Sequence, residues 1–219
     1  AEVAVALGFG FWLNASKRKI DELIEWMFFH GRRIAEERLR RVTRRVAHAT
    51  ERSAVDDMLV REPFEALQLT AIALYRHVEN AYVLETQCGW PAGAPVLIDA
   101  NDALALELVA TREPVQIDAI AWQGSRTLSG VHPVLAFPLI VRYDVAGLLL
   151  LGEKRDAERV DGLELAAVQA LVVAAGLAYD HLDALEQQHV ADDLRRALDE
   201  ARAESATLRG LLGREPSGV

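Results

Sequence analysis

The chain has 219 residues, 51% of them hydrophobic and 26% charged, with a formal net charge of −9. That composition is ordinary for a globular domain with a real core, and its acidic balance argues against indiscriminate nucleic-acid binding. A single cysteine excludes an internal disulfide framework and any multi-cysteine zinc or iron–sulfur site, and it fits a reducing cytoplasmic setting. The charge is unevenly placed: eleven basic residues against six acidic lie between Lys17 and Arg52, in a chain that is otherwise strongly acidic.

Residues 1–16 open with "AEVAVALGFGFWLN", an apolar run shorter than the roughly 20 residues a membrane-spanning helix needs. "KRK" follows at once, as basic clusters do on the cytoplasmic flank of such a helix. The segment reads as the end of a transmembrane helix or as an apolar arm. From 17 to 50, Ile20, Ile24, Met27, Ala35, Leu39, Val42 and Val46 recur at helical spacing, which predicts one long basic linker helix. Ile20, Ile24 and Met27 are candidate dimer-seam residues; a solvated helix face is the plain alternative.

"SAVDDMLVREPFEAL" predicts a second helix capped by Ser53, with Asp56 completing a weak capping box and Pro63 threatening its last turns. "LQLTAIALYRHV" and "AYVLETQCGW" predict a β-hairpin. A short helix over "DALALELVATRE", with Asn101 or Asp102 as its cap, places Leu104, Leu108 and Val109 on one face. "PVQID" reads as a short strand and "AIAWQGSRTLSGVHP" as a loop. "VLAFPLIVR" and "AGLLLLGEK" then form a second hairpin, and their continuous rather than alternating apolar runs imply strands covered on both faces.

From Val160 the pattern is helical to about Gly213. Leu163, Ala166, Ala170, Val173 and Leu177 make an apolar face expected to cover the sheet. Leu194, Leu198 and Leu208 continue as a sparse coiled-coil seam and complete the candidate dimer residues.

This order of elements, and the phrases "DALALELVATREPVQID", "VLAFPLIVRYDVAGLLLLGEK" and "DGLELAAVQALVVAAGLAYDHL", resemble a GAF domain. The resemblance implies an α+β, GAF/PAS-like fold, an antiparallel sheet with helices on both faces, flanked by long N- and C-terminal helices. The expected divisions are 17–50 for the basic helix, 51–183 for the sensory domain, 184–213 for a signalling helix and 214–219 for a tail. It further implies a non-catalytic regulatory module that takes a small-molecule ligand and acts as a homodimer. A membrane anchor upstream would place it at the inner face of the plasma membrane. A dimerising spacer without a pocket is the alternative reading.

The pocket residues expected on this basis are Tyr75, Cys88, Trp122, Arg126 and His132. Arginine can grip a carboxylate or phosphate, and histidine can ligate haem iron or bond an anion. No spacing among them specifies a cofactor, and none forms a metal-ligand set. Cys88 is the one thiol available to an enzyme built on this fold, and a buried structural cysteine is its plainer reading. The chain lacks a phosphate-cradling glycine loop, a GxSxG elbow and an HExxH helix.

Overall fold

A computed structural model describes residues 34–90, 96–120, 122 and 132–212, with side chains to 205. The expected membrane segment, Ile20, Ile24, Met27, Arg126, the Leu208 side chain and the tail lie outside the described residues.

Six strands, β1 (Ile72–Val78), β2 (Ala81–Cys88), β3 (Leu97–Asp99), β4 (Val115–Gln116), β5 (Pro133–Val141) and β6 (Asp144–Gly152), form one sheet. Its order is β3-β2-β1-β6-β5-β4, and every neighbouring pair is antiparallel. The helices are α1 (34–46 among the described residues), α2 (Arg52–Ala66), α3 (Ala103–Thr111) and α4 (Gly162–Leu212). The sequence reading anticipated both hairpins but not the short edge strand β3.

The β5–β6 hairpin lies inside the sheet because its leucines have two apolar faces to fill. Leu149 and Leu151 join Ile72, Leu74 and Phe137 under α1, α2 and α4. Leu148 and Leu150 point the other way, toward α3, and all four leucines are fully buried. Each such burial contributes about 1.5–3 kcal/mol before chain entropy is counted. Gly147 admits β1 closely, since a Cβ there would lie 2.6 Å from the Tyr75 carbonyl oxygen. The hairpin turns at Arg142–Tyr143, with Arg142 in the left-handed region at φ 58°, and Asp144 already belongs to β6.

The helical layer departs from the sequence reading in two places. Ser53 does not cap α2: Glu51 holds that position without a side-chain cap, and Asp56 is turned into the core. Pro63 is tolerated close to the C-terminus, where α2 runs only three residues further. On α4 the expected sheet-covering face is rotated. Leu163, Val173 and Leu177 are 65%, 57% and 69% exposed, while Val168, Leu171, Val172, Ala175 and Tyr179 meet the sheet. The backbone sets that choice, because Gly176 comes so close to β5 that a Cβ would stand 2.1 Å from the Ile140 carbonyl oxygen. Only the glycine side of α4 can approach the strand, and this turns Val173 and Leu177 outward.

α1 buries Ala35, Leu39, Val42 and Val46 against its own chain. It runs antiparallel to α2, with Arg38 bonding Glu62 at 2.9 Å and Glu65 at 2.5 Å. The first turn of α4 is fastened by a capping box. Asp161 accepts from the Leu163 and Glu164 amides at 2.8 Å, and Glu164 accepts from the Asp161 amide at 3.0 Å. Lys154, two residues past the end of β6, reaches the buried Glu164 carboxylate at 2.9 Å.

Candidate functional site

The face of the sheet opposite α1, α2 and α4 differs in character from the helix-covered face. Its strands present Ala71, Ala73 and Ala136 where the helix side has Ile72, Leu74 and Phe137. Over this small-residue floor stand Tyr75, Tyr82, Trp90 and Trp122, each at most 7% exposed. α3 closes the face with Leu104, Ala105 and Leu108, and is held in place by Asp102, which accepts from the Leu104 amide at 2.9 Å. Val109, expected on the same face, is 45% exposed, and Ala105 takes its place.

Four polar groups sit within this aromatic cluster, the hydroxyls of Tyr75 and Tyr82 and the indole N–H groups of Trp90 and Trp122. Trp90 Nε1 is buried without a hydrogen bond of ordinary geometry and makes only a weak contact with the Tyr75 hydroxyl. It stands beside the Tyr75 hydroxyl, near enough to lower the pKa of that group, though burial prevails and pushes it up to about 12. Tyr75 is therefore a neutral phenol at physiological pH. Burial likewise raises Tyr82, whose hydroxyl reaches the Val145 carbonyl at 3.4 Å. The chemistry on offer is neutral hydrogen bonding beside aromatic surface.

Among the residues the sequence singled out, Tyr75 and Trp122 come together here. Cys88 does not join them: it is half-buried and packs against the helix-side cluster. His132 is exposed. Trp90 and Tyr82 were missed, although Trp90 lies only two residues beyond Cys88 in "ETQCGW". Among the described residues no cluster of His, Cys, Asp and Glu is arranged to hold a metal.

A strand sends successive side chains to opposite faces. Accordingly Arg76, next to Tyr75, points into the helical layer. There Asp56 of α2 accepts from Arg76 at 2.5 Å and from the Tyr179 hydroxyl of α4 at 2.6 Å. The guanidinium carbon lies 4.0 Å from the Tyr179 ring centroid. Burial, followed by the Asp56 contact, raises the Tyr179 pKa against the opposing pull of Arg76. This triad joins α2, β1 and α4 at one point, and Tyr179 is the last buried residue before α4 leaves the body.

Two further openings border described residues elsewhere. A groove of about 460 Å³ runs between β5 and the exposed side of α4, past Arg142, Tyr143 and Asp180. A smaller one of about 290 Å³ borders Lys154 and Arg159.

No family profile matches the sequence, and no curated protein matches it significantly. Solved structures do match. The GAF domain of a phosphoenolpyruvate-protein phosphotransferase from Coxiella burnetii superposes with TM-score 0.59 at 19% identity, over 71% of this chain and 98% of that one. Free methionine-R-sulfoxide reductase from Neisseria meningitidis, in complex with its substrate, gives 0.58 at 17% identity, over 70% and 93%. A blue-light absorbing PixJ GAF domain from Thermosynechococcus elongatus gives 0.53 at 20%, over 64% and 91%. The antiparallel sheet with helices on both faces is thus a GAF-like fold, as the sequence phrases implied. Chains that share it include GAF domains and an enzyme.

Proposed function

We propose that the chain is a GAF-type sensory or regulatory module, without catalytic chemistry of its own, that binds a small molecule on the aromatic face and relays its occupancy to α4. The observation that carries this reading is the buried Trp90 N–H, met only weakly by the Tyr75 hydroxyl, above an alanine floor. Such a donor costs about 1–3 kcal/mol until an acceptor meets it, and a ligand carbonyl or carboxylate would supply that acceptor. GAF domains of signalling proteins share the fold. Homodimerisation through the long helices, and attachment to the inner face of a membrane by an upstream segment, belong to the same reading. Nucleic acid does not.

A small-molecule screen on the full chain tests this, read as a shift in melting temperature. A binder should raise the midpoint in the wild type and lose that effect in Trp90→Phe, which keeps the ring and removes the donor. A binder equally effective on both proteins would detach the ligand from this face.

Two other readings remain distinct. The complete burial of Leu148, Leu150 and Tyr75 favours a filled face, hence a spacer that dimerises without a ligand. The reductase neighbour raises an enzyme, but Cys88 lies on the other side of the sheet from Tyr75, Trp90 and Trp122. Full biological activity in Cys88→Ser would dispose of a nucleophilic role, and loss of activity in that folded variant would reinstate one.

A further inference from the structure

The stripe that α4 turns away from the sheet is not a scatter of exposed apolar residues. Leu163, Ala166, Ala170, Val173 and Leu177 alternate in steps of three and four, and all five are exposed. Counting on in the same rhythm reaches Asp180, Ala184, Gln187, Ala191, Leu194 and Leu198, then Ala201 and Ser205. The exposed face of the body and the seam of the free helix are one heptad pattern without a phase break, over about 60 Å at 1.5 Å per residue. α1 spends its stripe from Ala35 to Val46 on its own chain.

The pattern also names its partner. Leu163, Ala170 and Leu177 take the first core position of the heptad, and Ala166, Val173 and Asp180 the second. The position just after the second holds Arg195, Arg202 and Arg209. Across the whole seam an antiparallel pair would set Arg202 and Arg195 against Ala167 and Ala174, and a parallel pair sets them against Ala197 and Val190. These arginines therefore do not choose the orientation; the charged core position does. One core position is charged, and it falls where α4 leaves the body. Asp180 there accepts a 2.6 Å bond from Arg142, which reaches over from the β5–β6 turn. Two copies in parallel register would bring two carboxylates and two guanidiniums into one neutral layer, while a slip by one layer of the same kind would set Asp180 against Val173 or Gln187.

We propose that this face of α4 is the surface on which two copies of the chain pair, parallel and in register from Leu163 onward, with Arg142 and Asp180 as the charged layer that sets the register. The proposal rests on the dimeric reading above and assigns its interface.

The test uses the full chain with Cys88→Ser and one new cysteine at a time: Ala166→Cys, Val173→Cys or Leu194→Cys. All three sites are exposed. Residues 166 and 194 stand about 40 Å apart along the helix, so only a parallel, in-register pair can join each cysteine to its own counterpart. Efficient homodisulfide formation at all three is expected. A dimer by light scattering that crosslinks at no more than one of them would overturn the proposal and leave dimerisation intact. A monomer would remove both. The charged layer is tested separately: Arg142→Ala should weaken self-association about tenfold or more, and Asp180→Leu placed on that variant should restore it. A dissociation constant unchanged in Arg142→Ala would reduce the pair to an intrachain surface contact and end the register claim.

Discussion

The contacts that decide most in this molecule are made by single atoms at close range. Alanine in place of glycine within a helix normally stabilises it by up to about 1 kcal/mol. At Gly176 the sign should reverse, because the added Cβ would lie 2.1 Å from the Ile140 carbonyl oxygen. Gly176→Ala should cost about 2 kcal/mol or more in urea unfolding, in the range of overpacked cores. The Asp56–Arg76–Tyr179 triad makes an ordered pair of expectations. Tyr179→Phe removes one hydroxyl and should cost about 1–2 kcal/mol. Arg76→Met strands the buried Asp56 carboxylate and should cost about 3–5 kcal/mol, so the two variants should rank in that order by chemical denaturation. Tyr75 supplies a pH dependence. Its folded pKa of about 12 lies above the ordinary 10.0, so burying the neutral phenol adds stability that is complete below the lower value. That stability is lost as pH climbs through the higher one, and Tyr75→Phe should flatten the decline between the two in a stability-versus-pH series.

Among elements, the central hairpin was the most legible and the face of α4 the least. Leu148 to Leu151 form an unbroken apolar run that only a doubly covered strand can bury, so their place in the sheet followed from composition alone. α4 offered no such decision. One face of the helix packs on the sheet and another is apolar but exposed. Hydrophobic periodicity finds both and cannot rank them. Gly176 decides, through a contact with Ile140 distant in sequence. Asp56 misled for a related reason: three residues after a serine it looks like part of a cap, yet tertiary contacts with Arg76 and Tyr179 claim it. The start of α4 is open to a direct check. Asp161→Ala removes the acceptor of two amide bonds and should cost about 1 kcal/mol. Lys154→Ala leaves Glu164 buried without its cation and should cost more, again by urea unfolding.

Across the whole molecule, β1 connects the two faces. Tyr75 looks toward the aromatic cluster, Arg76 toward the triad, and a register shift between Leu74 and Tyr75 interrupts the pairing with β2 at that point. In the proposed relay, a change in the packing around Tyr75 would pass along β1 through Arg76 to Tyr179. The candidate site was only half legible in the sequence. Tyr75 and Trp122 could be named from position, but the Trp90 donor meets Tyr75 only through the fold beyond β2, and Cys88 falls on the helix side of the sheet. Native mass spectrometry of the freshly purified full chain tests the account most directly. It should show twice the chain mass carrying a non-covalent small-molecule adduct, with the adduct lost in Trp90→Phe. A bare dimer would leave a spacer without a ligand, and a bare monomer would contradict the account altogether.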